Sequence, residues 1–312
     1  MKNVYLHIGM PRTATTFLQQ FLFPNIPNIS FYGVETAHYS EPFNKLQYAD
    51  DSLYNPSIFN ALIEEFDTKN LLISNEYLAG QSIYLNHVNR SIIAKRLKEL
   101  FPDAKILLVL RNQIDLLQSL YAVNVQWKET RKIDDFIWTP FQEDKNEGGP
   151  SPSYYNTLAG KEALDGYNYL PLIKLYKSLF SDVTVLLFED LIQQPHAFSE
   201  QLATFFQMDK AIVDQHIIEQ PKINAGVSKK QAKKLIKLNK YSPLLQNSKL
   251  TNRIYNKLKR NIIQSKSTGD KPSFSKEKEE LLKRYFRKDN LALSNQYPEI
   301  GIQNHSNKYY ID

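Results

Sequence analysis

Four short, nearly continuous apolar runs, at residues 4–8, 71–74, 105–110 and 183–188, constrain this chain most. Each matches a strand covered on both faces, the habit of parallel sheets. Helical spacing of apolar residues recurs between and beside them, at 15–23, 91–101, 114–127 and 167–180. Strands alternating with helices predict βαβ units, hence an α/β fold with a central parallel sheet flanked by helices. Beyond Phe188 the strand signals stop, and helical patterns occupy 196–206, 228–241, 250–263 and 276–293. Ser275 is placed to cap the last of these, with Glu277 and Glu279 favourable near its positive end. The expected organisation is a single domain over 1–312, built from an α/β core at 1–220 and a basic, mainly helical C-terminal extension at 221–312.

Composition narrows the chemistry. At 312 residues with 42% hydrophobic side chains, folding buries roughly three quarters of the unfolded surface, so no staples are needed. The chain has no cysteine, which excludes thiol catalysis, CxxC zinc sites and redox switching. Its six histidines are scattered singly, so no metal site is expected. No apolar run approaches the roughly 18 to 20 residues of a membrane span, and Met1 leads into a strand-like segment instead of a signal peptide. A soluble, cytoplasmic protein is expected. Between residues 222 and 289, twenty Lys or Arg stand against five Asp or Glu, within a net charge of +6. That imbalance points to an anionic partner. Residues 141–160 and 265–273 carry Gly/Pro loop signals, and the first stretch is long enough to bear substrate contacts.

Directly after the first apolar run comes Gly9-Met10-Pro11-Arg12-Thr13-Ala14-Thr15-Thr16, opening the first helical pattern. A strand–loop–helix of this kind gathers backbone N–H groups on one point and suits an anion. Small residues permit close approach of the backbone, and Thr15 and Thr16 offer hydroxyl donors. Against the Walker pattern GxxxxGK[ST], Ala14 stands at the second Gly, Thr15 at the Lys and Thr16 at the Ser/Thr. The lysine that reaches nucleotide β- and γ-phosphates is missing, and a cation lies inside the loop instead, at Arg12. A nucleotide hydrolase or Mg²⁺-dependent kinase is disfavoured, and a site for one 5′ anionic group is favoured.

Residues Pro11 to Gln19 resemble the 5′-phosphosulfate loop, PKTGTTxLQ, of sulfotransferases that use 3′-phosphoadenosine 5′-phosphosulfate (PAPS). Arg12 replaces the family's Lys and Ala14 its Gly; the first exchange keeps the charge but trades a compact ammonium for a planar fork. A second element agrees. The run at 105–110 is followed by Arg111, with Ser119 eight residues on, similar to the Arg and Ser that hold the 3′-phosphate in this family. Residues 221–230 resemble more loosely the loop that closes over the nucleotide, with Asn224, Gly226, Ser228 and Lys229 as candidate contacts and Lys222 and Lys230 as further cations. Phe188-Glu189-Asp190-Leu191 resembles a recurrent family segment of structural role. The resemblance, to bacterial-type enzymes similar to carbohydrate and glycosaminoglycan sulfotransferases, implies the P-loop NTPase-like sulfotransferase fold. It implies PAPS as co-substrate, adenosine 3′,5′-bisphosphate as product, and no metal. Pro11, Arg12, Thr13, Ala14, Thr15, Thr16, Arg111 and Ser119 would then bind the nucleotide.

The chemistry expected is in-line sulfuryl transfer to a hydroxyl of a carbohydrate or glycolipid, catalysed by positioning and charge stabilisation. Arg12 would stabilise charge on the leaving group. Two residues compete for the base. Glu76 should emerge at the C-terminal edge of the sheet, where α/β folds bind ligands, in a position similar to the Glu base of glycosaminoglycan-type enzymes. His7 titrates near neutrality and precedes the loop, though it also fits a core histidine of the first strand. Tyr32, Glu35, His38, Tyr39, Tyr154 and Tyr155 are candidates to line an acceptor cleft, while His87 has no assigned place. Two other readings stay open: a divergent P-loop nucleotide kinase, and a non-enzymatic binder of anionic polymers or membrane surfaces through the basic segment. Nucleic acid is not the expected partner, peripheral membrane contact is left open, and the oligomeric state is not indicated.

Overall fold

Four of the five strands in the central sheet fall on the predicted apolar runs. In the computed structural model, which describes residues 3–33, 40–65, 69–79, 90–138, 162–220, 226–245, 248–265 and 269–312, the strands are β1 Val4–His7, β2 Ile29–Tyr32, β3 Asn70–Ser74, β4 Lys105–Leu110 and β5 Asp182–Leu187. All are parallel, in the order β2-β3-β1-β4-β5. Strand β2 was not foreseen. Its residues Ile29, Ser30, Phe31 and Tyr32 make an edge strand, mostly half-buried, and a strand covered on one side needs no continuous apolar run.

The chain divides into two compact units: Met1–Asn112 with Gly166–Pro221 and Phe286–Asp312, and Gln113–Asp165 with Lys222–Tyr285. In the first unit one face of the sheet presents Tyr5, Leu72, Leu107, Val109 and Leu186 to Leu18, Leu22, Phe198, Leu202 and Phe206. The alternate residues Leu6, Leu71, Ile73, Ile106 and Leu108 are also fully buried, as period-two strands require when both faces are covered. After β1 the chain reaches the β2 edge, returns through β3, and crosses to β4 on the other side of β1. That reversal beside β1 is the switch point where open α/β sheets hold ligands, at the carboxyl ends of the strands.

The helix predicted over residues 15–23 is irregular. A single α-helical turn, Thr15–Phe17, widens into π-helical turns at Leu18–Leu22 and tightens to a 3₁₀ turn at Phe23–Asn25. Pro24, which has no N–H to continue the ladder, sits in that last turn. Elsewhere the helical patterns hold within a few residues, at Arg90–Leu100, Gln113–Gln126, Tyr169–Leu179, Pro195–Phe206, Lys229–Lys240, Lys249–Gln264 and Lys276–Gln296. Ser275 Oγ accepts from the Lys278 backbone N–H at 3.3 Å, as a cap does. Helices at Ser40–Tyr48 and Lys210–Ile217 were not predicted.

In the second unit, Lys229–Lys240 packs against both Gln113–Gln126 and Lys249–Gln264. Asn239, buried, ties them together: its amide donates to the Val125 and Glu129 carbonyls at 2.8 and 2.9 Å and accepts from the Tyr255 hydroxyl at 2.9 Å. Of the predicted loops, residues 141–160 lie outside the described residues, as do 266–268 of the second.

Candidate functional site

The loop after β1 turns on two left-handed residues, Arg12 (φ 68°) and Ala14 (φ 67°). A Cβ on Ala14 opposes that conformation, which is the cost of having Ala where the related loops carry Gly. Pro11, Thr13 and Thr15 are buried, Arg12 and Ala14 are half-buried, and Thr16 is exposed. Thr13 Oγ1 donates to the Met10 carbonyl at 2.5 Å, and the Leu18 N–H closes the first helical turn onto the Ala14 carbonyl at 3.0 Å.

Strand β3 delivers Glu76. Its neighbour Asn75 anchors the turn, with its N–H bonded to the His7 carbonyl at 3.0 Å and its Oδ1 accepting from the Tyr77 N–H at 2.9 Å. Glu76 therefore opens the 3₁₀ turn Glu76–Ala79, half-buried beside the loop. Burial pushes its carboxyl above the usual carboxylate range, while a hydrogen bond with the Thr15 side chain and the nearby Arg12 guanidinium pull the other way without cancelling the rise. Arg12 is pulled by three influences of its own: burial lowers its proton affinity, Glu76 raises it and Arg111 lowers it.

Strand β4 delivers Arg111, whose Nη1 donates to the Arg12 carbonyl at 3.1 Å. Its guanidinium lies 4.5 Å from the Phe188 ring centroid, a cation–π contact. The turn is fixed from behind. Tyr169 donates its hydroxyl to the Arg111 carbonyl at 2.5 Å, and the Asn112 N–H donates to Glu189 Oε1 at 2.9 Å. Glu189 in turn accepts from the Tyr309 hydroxyl at 3.0 Å. Burial raises the proton affinity of Glu189.

His7 is fully buried in β1, and desolvation lowers its pKa to about 3. Its Nδ1 is 2.7 Å from Ser74 Oγ, an oxygen that also accepts from Gln19 Nε2 at 2.9 Å. Tyr32 is buried at the end of β2.

The first unit thus brings together Pro11, Arg12, Thr13, Ala14, Thr15, Thr16, His7, Glu76 and Arg111. The other predicted nucleotide contacts that are described belong to the second unit. Ser119 is half-buried on the helix Gln113–Gln126. Gly226 and Ser228 precede the helix Lys229–Lys240, where Ser228 forms a capping box with Gln231. The Lys229 N–H donates to the Asp270 carbonyl at 2.7 Å, and the Lys229 side chain is exposed. Asn224, Lys222, Glu35, His38, Tyr39, His87, Tyr154 and Tyr155 lie outside the described residues. Sequence reasoning gave no site role to Ser74, Tyr169 or Glu189. Of these only Glu189 carried a signal, the segment after Phe188 that was read as structural.

Among the described residues, no group of three or more His, Asp or Glu is arranged to hold a metal ion, and no helix is long and apolar enough to cross a membrane. Two guanidinium groups and a hydroxyl-lined loop at the carboxyl ends of parallel strands fit an anionic nucleotide.

The sulfotransferase domain family matches this sequence over residues 4–295. The chain belongs to that family and is a PAPS-dependent sulfotransferase, an enzyme of sulfuryl transfer. Among solved structures it is similar to a sulfotransferase from Alicyclobacillus acidocaldarius, with 15% identity, 79% of this chain and 94% of that one covered, and a TM-score of 0.43. It is also similar to a mouse sulfotransferase complexed with PAP, with 12% identity, 98% and 90% covered, and a TM-score of 0.44. No curated protein matches the sequence significantly.

Proposed function

We propose that this enzyme transfers a sulfuryl group from PAPS to a hydroxyl of a carbohydrate or glycolipid, in line and without a metal. One observation supports the assignment of roles: at three adjacent strand ends, Arg12 interacts both with Glu76 and with Arg111, and Glu76 is hydrogen-bonded to loop residue Thr15. Bound PAPS supplies the activated sulfuryl group. Arg12 and the backbone N–H groups of residues 12–16 bind the 5′ anionic end, with the Thr15 and Thr16 hydroxyls as neutral donors and Pro11 shaping the turn. Arg111 binds the 3′-phosphate as a permanently charged fork, held in direction by Tyr169, Glu189 and Phe188. Ser119, Asn224, Gly226, Ser228 and Lys229 are proposed as further nucleotide contacts on the sequence resemblance alone.

Glu76 takes the proton of the acceptor hydroxyl. Its raised proton affinity makes it a stronger base than an exposed carboxylate, while Arg12 and Thr15 favour its ionised form. His7, neutral above about pH 3 and enclosed in β1, holds the loop from beneath and leaves the proton transfer to Glu76.

The test is transfer of labelled sulfate from PAPS, in the presence of a chelator, to oligosaccharides, glycolipids, simple phenols and amines. Chelator-insensitive labelling of the sugar hydroxyls supports the reading. Labelling confined to phenols or amines would overturn the acceptor class, and loss of activity on chelation would overturn metal independence.

A further inference from the structure

Residues 222–269 hold thirteen Lys or Arg and no Asp or Glu. Such a run needs an explanation, because like charges this dense repel one another. Where Lys259 lies near Lys128, burial first and that second cation next both lower its proton affinity. The helix Lys229–Lys240 exposes six lysines along its outer side, and the helix Lys249–Gln264 adds exposed Arg253, Lys257 and Arg260.

On Lys249–Gln264 the charge is paired with apolar surface that the fold does not use. The side of this helix that packs inward is marked by Tyr255, 1% exposed and bonded to Asn239. At 100° per residue, Leu250, Ile254 and Leu258 form a separate stripe on successive turns. They are 68%, 46% and 44% exposed. Arg253, Lys257 and Arg260 lie along the far flank of that stripe. Leu244, 70% exposed, precedes it on the short helix Ser242–Leu245, which packs on Lys249–Gln264. Around the helix the order is packed face, apolar stripe, cationic flank, the arrangement of a helix lying in a lipid interface. The side chains choose among anionic partners. Single-stranded nucleic acid is held by a basic groove with stacked aromatic rings, whereas the stripe beside these two arginines and one lysine is wholly aliphatic.

We propose that the stripe Leu250, Ile254 and Leu258, with its flank of Arg253, Lys257 and Arg260, docks this protein on the surface of an anionic lipid bilayer. The aliphatic side chains enter the headgroup boundary, and the cations meet lipid phosphates and carboxylates. The proposal does not depend on the acceptor or on turnover.

The test is co-sedimentation of the whole protein with phosphatidylcholine vesicles, with or without about one third phosphatidylserine, at about 0.15 M salt. Binding is expected only with the anionic lipid. R253Q/K257Q/R260Q should weaken it roughly a hundredfold, at about one kcal/mol per cation near the surface. L250S/I254S/L258S, which changes only exposed side chains and should leave the melting temperature unaltered, should weaken it roughly tenfold or more. Failure to bind anionic vesicles would overturn the proposal. So would binding untouched by the apolar triple substitution, or an RNA oligomer that displaces the vesicles and binds the apolar triple variant as tightly as the parent.

Discussion

The imidazole Nδ1 of His7 lies 2.7 Å from the hydroxyl oxygen of Ser74, directly across the β1–β3 pairing. Gln19 Nε2 can only donate to that oxygen, at 2.9 Å, so the serine proton is available to Nδ1 and the ring proton is assigned to Nε2, facing Gly9. The ring is neutral in the fold, its pKa lowered by burial from 6.5 to about 3. In that window the unfolded chain binds a proton that the native state refuses. The contribution to stability is therefore complete above 6.5 and is lost as pH falls toward 3, by up to about 1.4 kcal/mol per pH unit. Denaturant unfolding at stepped pH should show this slope in the parent and a flatter one in His7→Gln. Identical slopes would contradict the assignment.

Gly9 is required by the same ring. A Cβ at this position would come 2.8 Å from His7 Nε2 and 3.5 Å from Thr13 Oγ1, and neither partner has room to withdraw, since both are fully buried. Gly9→Ala should cost about 1–3 kcal/mol, read as a lower unfolding midpoint. An unchanged midpoint would mean that the loop and ring move apart freely.

Ala14 should respond in the opposite direction. Its left-handed backbone, φ 67° and ψ 13°, is one that glycine adopts without strain, so Ala14→Gly should stabilise the fold by about 1 kcal/mol once the extra freedom of the unfolded chain is subtracted. Thermal melting decides the sign. A lower melting temperature would show that the loop gains more from the methyl group than it loses in strain.

Glu76→Gln should lower turnover roughly a hundred- to ten-thousandfold, the range of a positioned base. Nucleotide affinity should hold or rise slightly, because the change removes a negative charge beside Arg12. The pH profile gives a second reading. With the carboxyl raised above its usual range, the acid limb of kcat/KM should lie above pH 4.5, with activity rising as pH increases through it, and should vanish in Glu76→Gln. Parallel losses of binding and turnover would remove Glu76 from the role of base.

The central sheet was legible because β1, β3 and β4 are buried on both faces and leave continuous apolar runs, and the edge strand β5, half-buried over Asp182 to Val185, still carries a nearly continuous one. Strand β2, the other edge, was not, since its four residues Ile29-Ser30-Phe31-Tyr32 are interrupted by a serine and leave no continuous apolar run. The turn after β1 and the place of Arg111 at the end of β4 were legible for a related reason: both are set by residues adjacent in sequence. What holds them in place is not adjacent. Glu189 is 77 residues from the Asn112 N–H that it accepts from, Tyr169 is 58 from the Arg111 carbonyl, and Ser74 is 67 from His7. Such partners are chosen by strand order, which local periodicity does not encode. The irregular helix after the loop was missed likewise, because its apolar spacing suits an α-helix while the turns widen and then tighten around Pro24.

Calorimetric titration of adenosine 3′,5′-bisphosphate with a chelator present, set against ATP with Mg²⁺, is the most direct test of the nucleotide site proposed around Arg12 and Arg111. Metal-independent binding should be seen, tighter than for ATP and weakened roughly ten- to hundredfold in Arg111→Ala as a charge-assisted contact is lost. Preference for ATP with Mg²⁺, or binding that Arg111→Ala leaves intact, would contradict it.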